Sequence, residues 1–141
     1  MYQNCLKNGM IDWCHENDVK FFAYMVLEQG AISGKYDKDN LMPSNSNRAK
    51  IYDKNVFIKA EKMLEYIREL AENKYVAPAQ ISVAWSLKKG VIPIIGVTSQ
   101  QHVYELTKAL EIDLSDEEIL KLEELGKEIE FKTVRDWEQN L

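Results

Sequence analysis

One stretch, residues 21–36, constrains the fold of this chain most. It begins as an apolar and aromatic run and continues into a segment that contains Gly30 and Gly34 and ends at Lys35-Tyr36. This order is typical of a buried strand followed by a loop that faces a ligand. A shorter copy of the same order occupies residues 91–99, ahead of a helical pattern. Two strand-then-loop units that run the same way predict one shared site.

The two apolar runs have the character of parallel strands. Phe21, Phe22 and Ala23 are apolar in succession, which predicts that a strand over residues 19–24 is buried on both faces. Pro93 lies inside the second run, residues 91–95, and favours an edge or barrel-rim position because proline gives no N–H to a ladder.

Apolar residues at three- and four-residue spacing predict the helices. The predicted ranges are 10–16, 56–73, 78–88, 100–110 and a last helix that follows the Ser115-to-Glu118 capping-box spacing. Residues 131–141 are predicted to be an extended segment that packs on the rest. Helices that alternate with the two strands favour an α/β fold with a parallel sheet.

Residues 37–55 are polar and are predicted to form a long exposed loop that supplies nothing to the core. Loops of this length are unusual in a compact domain. Two interpretations stay open: a lid over the Gly30–Lys35 region, or a disordered connection.

Bulk properties narrow the class of protein. With 141 residues and 45% apolar residues, residues 1–141 suffice for a single domain with its own core. The net charge of -5 comes from interspersed charges of both signs, so neither nucleic acid nor a membrane surface is an expected partner.

No apolar run approaches the roughly 20 residues of a membrane span, and no signal-peptide pattern opens the chain, so a cytoplasmic protein is expected. Cys5, Cys14 and His15 form an incomplete ligand set, and no metal site is predicted.

The stretch of residues 21–36 also carries a family resemblance. Residues 23–36 resemble the seventh strand and loop of the aldo-keto reductase family, which run Ala-Tyr-Ser-Pro-Leu, two residues, then Gly-x-Leu-Ser/Thr-Gly-Lys-Tyr. Residues 78–85 resemble the family's Pro-Ala-Gln-x-Ala-Leu-x-Trp helix, residues 92–96 its eighth strand, and residues 114–119 its closing helix. The resemblance implies a partial TIM (β/α)8 barrel, truncated to roughly the carboxy-terminal half.

The resemblance implies an NADP(H)-dependent carbonyl oxidoreductase. In the family a Tyr acid acts with Lys, Asp and His, and all four lie in the amino-terminal half. No residue of this chain matches them, so no catalytic residue is assigned and the chain is expected to be catalytically incomplete. Two other interpretations stay open: a non-enzymatic nucleotide-binding or protein-interaction module, and one half of a split reductase.

The first loop resembles half of the family's cofactor site. Tyr24 matches the aromatic residue that stacks on the nicotinamide. Leu27, Gly30 and Lys35 match the loop over the pyrophosphate. In that loop a glycine lets the backbone approach the phosphates, and a lysine adds a positive charge.

The second loop resembles the other end of that site. Gly96, Thr98 and Ser99 precede the predicted helix at residue 100, whose amino terminus would face an anion. His102 and Glu105 match positions that contact the adenosine end.

Three departures from the family pattern each remove a polar contact. Met25-Val26 replaces Ser-Pro, Thr98 stands where Arg is common, and Leu106 stands where an adenine-binding Asn is usual. Each lost contact is worth about 1 kcal/mol, so weakened nucleotide binding is expected, and the choice between NAD and NADP stays open.

An open half-barrel would expose strand edges and apolar surface. Residues 19–24 and 91–95 are therefore expected to associate with a second copy or with a separate amino-terminal half. Residues 1–5 are considered as a remnant of the family's sixth strand, with Gln3 as the residue that would meet the nicotinamide amide.

Overall fold

The computed structural model describes residues 4–127 and residue 129. Within this part the chain forms seven α-helices, two short strands and two 3₁₀ turns. The elements are α1 (Asn4–Lys7), α2 (Met10–Glu16), β1 (Phe22–Ala23), a 3₁₀ turn (Glu28–Gly30), α3 (Asn47–Ile51), α4 (Lys54–Asn73), α5 (Pro78–Lys88), β2 (Ile92–Pro93), α6 (Gln100–Thr107), a 3₁₀ turn (Lys108–Glu111) and α7 (Asp116–Lys127). The predicted α/β class with a parallel sheet is confirmed. The predicted tail at residues 131–141 and the candidate Gln3 lie outside the described residues.

The two strands pair in parallel, with Phe22 opposite Ile92 and Ala23 opposite Pro93. The N–H of Ile92 donates to the carbonyl of Phe21 at 2.8 Å, and the N–H of Ile94 donates to the carbonyl of Ala23 at 2.7 Å. Alternate residues of a strand point their backbone groups to opposite sides, so the nitrogen of Pro93 faces away from β1. The missing N–H of Pro93 therefore costs this ladder no hydrogen bond.

The strands are shorter and more exposed than the sequence predicts. Phe22 is 58% exposed and Ile94 is 56% exposed, so the prediction that the first strand is buried on both faces is wrong. Phe22, Tyr24, Ile92 and Ile94 are each at least 40% exposed; their two-residue spacing and the strand register place them on one face, which we call the open sheet face. Apolar runs without alternation predict two covered faces, and within the described residues helices cover only one of them.

The core lies between α4, α5 and α7. One side of α4 is buried along its length through Phe57, Ala60, Met63, Leu64, Tyr66, Ile67, Leu70 and Ala71. All residues from Gln80 to Ser86 in α5 are buried, and Leu114 and Leu122 close the cluster from the α7 side. Asp53 begins α4, where its side chain accepts the N–H of Val56, and the predicted capping box at Ser115 and Glu118 is present.

Residues 37–55 are not an exposed loop throughout, and the prediction that they supply nothing to the core is wrong. Met42 is 4% exposed, Tyr52 is 1% exposed, and α3 lies between them. Asp37 anchors the start of the segment: its side chain accepts the N–H groups of Asn40 and Asp39, and Arg68 of α4 donates to it at 2.7 Å. Those two backbone donors, followed by the Arg68 guanidinium, hold the pKa of Asp37 below its ordinary value.

The other helix predictions had mixed outcomes. The ranges of α2 and α5 agree with the predicted 10–16 and 78–88. The helix predicted for 100–110 ends at Thr107, and Val103 and Leu110 are 48% and 72% exposed, so they do not pack on the core.

Candidate functional site

A cleft of about 730 Å³ lies where the loops after β1 and β2 approach α5. Some of its lining residues come from the first loop, within residues 25–36, and from Arg48, and others come from the second loop and α6, within residues 94–106. Ala77, Ala79 and Gln80, at the start of α5, also line the cleft. The structure thus brings the two glycine-punctuated segments of the sequence to one place, as their common strand-then-loop order predicts.

The first loop turns sharply because three consecutive residues adopt left-handed backbone. Glu28 has φ 46°, Gln29 φ 53° and Gly30 φ 97°. Glycine adopts this region freely, whereas Glu28 and Gln29 do so at a cost in strain. The hydroxyl of Ser33 donates to the carbonyl of Gly30 at 2.7 Å and closes the turn.

Two cations line this side of the cleft. The Lys35 side chain is exposed, and its Nζ lies 5.4 Å from the centre of the Tyr36 ring. Arg48 reaches across from α3, and its Nη1 donates to the carbonyl of Gln29 at 3.0 Å. A β-carbon built on Gly30 would lie 3.8 Å from Arg48 Nη1, so the glycine and the guanidinium are neighbours. An anionic group that enters here would meet two positive charges beside a glycine turn.

A buried hydrogen bond outside the cleft supports the first loop at Glu28. The Tyr52 hydroxyl donates to Glu28 Oε2 at 2.9 Å, and both residues are at most 5% exposed. The contact joins the residue after α3 to the first residue of the Glu28–Gly30 turn.

The second loop leads into α6. The Ser99 hydroxyl accepts the N–H of His102 at 3.2 Å and so caps the helix. Thr98 Oγ1 lies 3.2 Å from His102 Nδ1, which ties the loop to the first turn. The amino terminus of this eight-residue helix adds a partial positive charge at this end of the cleft.

A glutamine network connects α6 to α5. Gln80 is buried; its side-chain oxygen accepts the N–H of Ala77 at 2.6 Å, and its nitrogen donates to the carbonyl of Glu105. The Glu105 carboxyl accepts from Gln101 at 2.7 Å. The backbone at Glu105 is therefore fixed on the start of α5.

Seven of the nine predicted cofactor residues line the cleft: Leu27, Gly30, Lys35, Gly96, Thr98, His102 and Glu105. Tyr24 and Ser99 are not among the lining residues; Tyr24 lies on the open sheet face, and Ser99 caps α6. The sequence interpretation missed Arg48 and Gln80. A signal for Arg48 existed, because Ser46 has the character of a helix cap two residues before the one arginine of residues 37–55.

Comparisons with known proteins identify the class. The sequence profile of the Aldo/keto reductase family matches residues 1–127. The chain therefore belongs to the aldo/keto reductase family, and the resemblance inferred from its motifs is confirmed.

Three similar proteins are each longer than this chain. The aldo-keto reductase yakc [NADP(+)] of Schizosaccharomyces pombe is 29% identical over 120 residues, which are 82% of this chain and 35% of that protein. The NADPH-dependent alpha-keto amide reductase of Saccharomyces cerevisiae is also 29% identical, over 86% of this chain and 32% of its own length. The NADH-specific methylglyoxal reductase of Escherichia coli is 27% identical, over 89% and 39%. The chain thus spans about a third of the length of these relatives.

Solved structures agree on the fold. A thermostable aldo-keto reductase crystallised with the inhibitor epalrestat is similar with a TM-score of 0.63 and 26% identity, over 89% of this chain and 36% of that one. The glycerol dehydrogenase of Gluconobacter oxydans is similar in fold with a TM-score of 0.76 and 19% identity, over 93% and 41%. The α/β arrangement with its parallel strand pair is consistent with part of a barrel of this family.

Across residues 4–127 no helix has both the length and the apolar character to cross a membrane. Within the same part of the chain, no group of three His, Cys, Asp or Glu side chains is arranged to hold a metal ion.

Proposed function

We propose that this chain forms one wall of an NADP(H) site in a carbonyl oxidoreductase of the aldo/keto reductase family. The observation that carries the proposal is that one cleft gathers both glycine segments together with Lys35 and Arg48. Two of the similar proteins are named for NADP(+) or NADPH and one for NADH. A bound nicotinamide cofactor supplies the hydride in such a reaction, and the protein supplies binding and orientation.

The residues present fit a dinucleotide. The cleft volume of about 730 Å³ lies in the range of about 300–1,000 Å³ that is usual for ligand pockets. Lys35 and Arg48 would hold the diphosphate, and Gly30 lets backbone approach it. Thr98, His102 and Glu105 would meet the adenosine end, where Thr98 and His102 are already joined.

Tyr24 keeps its proposed role beside the nicotinamide. Its ring is 57% exposed and lies on the open sheet face, so a flat group can approach it. Ser99 would act through the helix it caps rather than by its own contact, because its hydroxyl accepts the N–H of His102.

We assign no catalytic residue to this chain, since none of its residues matches the family's Asp, Tyr, Lys and His set. The purified chain is therefore expected not to reduce carbonyls. The test is to mix it with NADPH and a generic aldehyde and to follow NADPH absorbance against a buffer control. Turnover above the control would contradict the assignment.

Titration of the chain with NADPH, followed by the fluorescence of the nucleotide, tests the site itself. Saturable binding is expected, and Arg48→Ala and Lys35→Ala should each weaken it about tenfold, because each removes a charged partner of the phosphates. Lys50→Ala is the matched control: Lys50 is an exposed cation on α3 that does not line the cleft. The same titration with NADH compares the two cofactors.

Three results would count against the site. These are a linear titration without saturation, equal affinities for the wild type and both cleft variants, and an equal loss in Lys50→Ala. Saturable binding without turnover also agrees with a non-enzymatic nucleotide-binding module. Recovery of turnover when an amino-terminal half carrying the catalytic set is added would instead favour half of a split reductase.

A further inference from the structure

Two contacts join α3 to the turn that borders the cleft. Tyr52, next after α3, donates to the buried Glu28 side chain at 2.9 Å, and Arg48 donates to the carbonyl of the adjacent Gln29 at 3.0 Å. Tyr52 and Arg48 are four residues apart, and the N–H of Tyr52 bonds the carbonyl of Arg48 at 2.8 Å, so they lie on one helical face. One contact is buried and the other borders the cleft.

The turn needs such support. Glu28 and Gln29 both have left-handed backbone, which costs non-glycine residues strain and persists only where the surroundings hold it. Glu28 is buried, with 5% of its surface exposed, and its carboxylate accepts the Tyr52 hydroxyl. Neither Glu28 nor Tyr52 is among the residues that line the cleft.

We infer that Glu28 and Tyr52 are positioning residues for the anion-binding end of the cleft. Their hydrogen bond fixes α3 against the Glu28–Gly30 turn, which holds the Arg48 guanidinium beside Gly30 before a ligand arrives. A cation that is already in place loses less conformational entropy when it binds a phosphate. The inference deepens the proposed nucleotide site and rests on it.

The central experiment is a double-mutant cycle on NADPH affinity. Tyr52→Phe keeps the buried ring and removes the hydroxyl, and it should weaken NADPH binding about fivefold. Because Tyr52 acts through Arg48, the double variant Tyr52→Phe with Arg48→Ala should bind no more weakly than Arg48→Ala alone. Tyr66→Phe removes the hydroxyl of a tyrosine on α4, outside the cleft, and should leave the affinity unchanged.

Substitutions at Glu28 provide a second route if Tyr52→Phe does not fold. Glu28→Gln retains an oxygen that accepts the Tyr52 hydroxyl, and it should bind NADPH within twofold of the wild type. Glu28→Ala removes the acceptor and should weaken NADPH binding at least as much as Tyr52→Phe does. Equal affinities for the wild type, Glu28→Ala and Tyr52→Phe would overturn the inference, as would additive losses in the cycle.

Hydrogen exchange without ligand separates this inference from the nucleotide proposal. In Tyr52→Phe the amides of Gly30 and Ala31, which bond to Leu27 and Glu28, should exchange faster, with those of α3. The amides of α5 should be unchanged. This pattern in a protein that does not bind NADPH would end the nucleotide proposal and leave the positioning role standing. Unchanged exchange at Gly30, Ala31 and α3 would overturn the positioning role.

Discussion

At the scale of single residues, Gly34 is a position that does not tolerate a side chain. Its φ is 86°, and a β-carbon there would lie 2.5 Å from Pro78 Cγ and 2.6 Å from Pro78 Cβ. An alanine here would have a strained left-handed backbone, and its β-carbon would overlap Pro78, the first residue of α5. We therefore expect Gly34→Ala to lower the free energy of unfolding by about 2–3 kcal/mol. Urea denaturation measures it.

Gly96 supplies the control for that measurement. A β-carbon built on Gly96 meets no atom within 4 Å in the described structure, and its φ lies outside the left-handed range. Gly96→Ala should therefore change the free energy of unfolding by less than about 0.5 kcal/mol. Equal losses in the two variants would show that the contact between Gly34 and Pro78 does not limit stability.

Residue types alone predicted much of the cleft but not its second cation. Glycines after apolar runs marked the turn at Gly30 and the loop at Gly96 because that signal is local. Ser46 marks the start of the helix that carries Arg48, but no local pattern shows that the fold of residues 37–55 brings this helix to the cleft. Ser99 was predicted to precede a helix amino terminus that faces an anion, and its hydroxyl accepts the N–H of His102 at that terminus. Its part in cofactor binding stays a prediction.

At the scale of elements, an ion pair between Asp37 and Arg68 joins the segment before α3 to α4. Backbone N–H groups and Arg68 hold the pKa of Asp37 below the ordinary 3.8. A lowered folded-state pKa means that its stabilising effect is fully present above pH 3.8 and is lost as the pH falls through the folded value. We expect Asp37→Asn to cost about 1 kcal/mol of unfolding free energy at pH 7.

The pH profile checks the sign of this effect. The difference in unfolding free energy between the wild type and Asp37→Asn should shrink as the pH is lowered below 3.8. Asp39→Asn is the control, because Asp39 is exposed and contributes its backbone N–H, which the substitution keeps. A difference that is constant from pH 7 to pH 3 would contradict the assignment.

Helices were more predictable than strands for a physical reason. The pattern of α4 and α5 is set within each helix by its spacing and by residues such as Pro78, so their ranges followed from the sequence. The two strands depend on what covers them. Their apolar composition indicated burial on both faces, yet Phe22 and Ile92 are 58% and 40% exposed in the described structure.

At the scale of the whole molecule, the open sheet face is where we expect association. Four large apolar side chains, Phe22, Tyr24, Ile92 and Ile94, are exposed there side by side, and such patches favour contact with another surface. We predict that the purified chain covers this face with a second copy. Sedimentation velocity over a concentration series should show a dimer that Phe22→Asp converts to monomer.

Ile58 provides a matched control for that prediction. It is 48% exposed, it is apolar, and it lies on α4 away from the sheet. Ile58→Asp should leave the sedimentation of the chain unchanged. A wild type that is monomeric at all concentrations, or equal effects of the two substitutions, would rule out the open sheet face as the contact.

The nitrogen of Pro93, which faces away from β1, leaves the outer edge of β2 without one backbone N–H. A strand that paired with the outer edge of β2 would meet a position that has no proton to donate. Such a pairing would lack one backbone hydrogen bond at Pro93 in each added chain. We therefore expect Pro93 to disfavour open-ended growth of a sheet through the outer edge of β2.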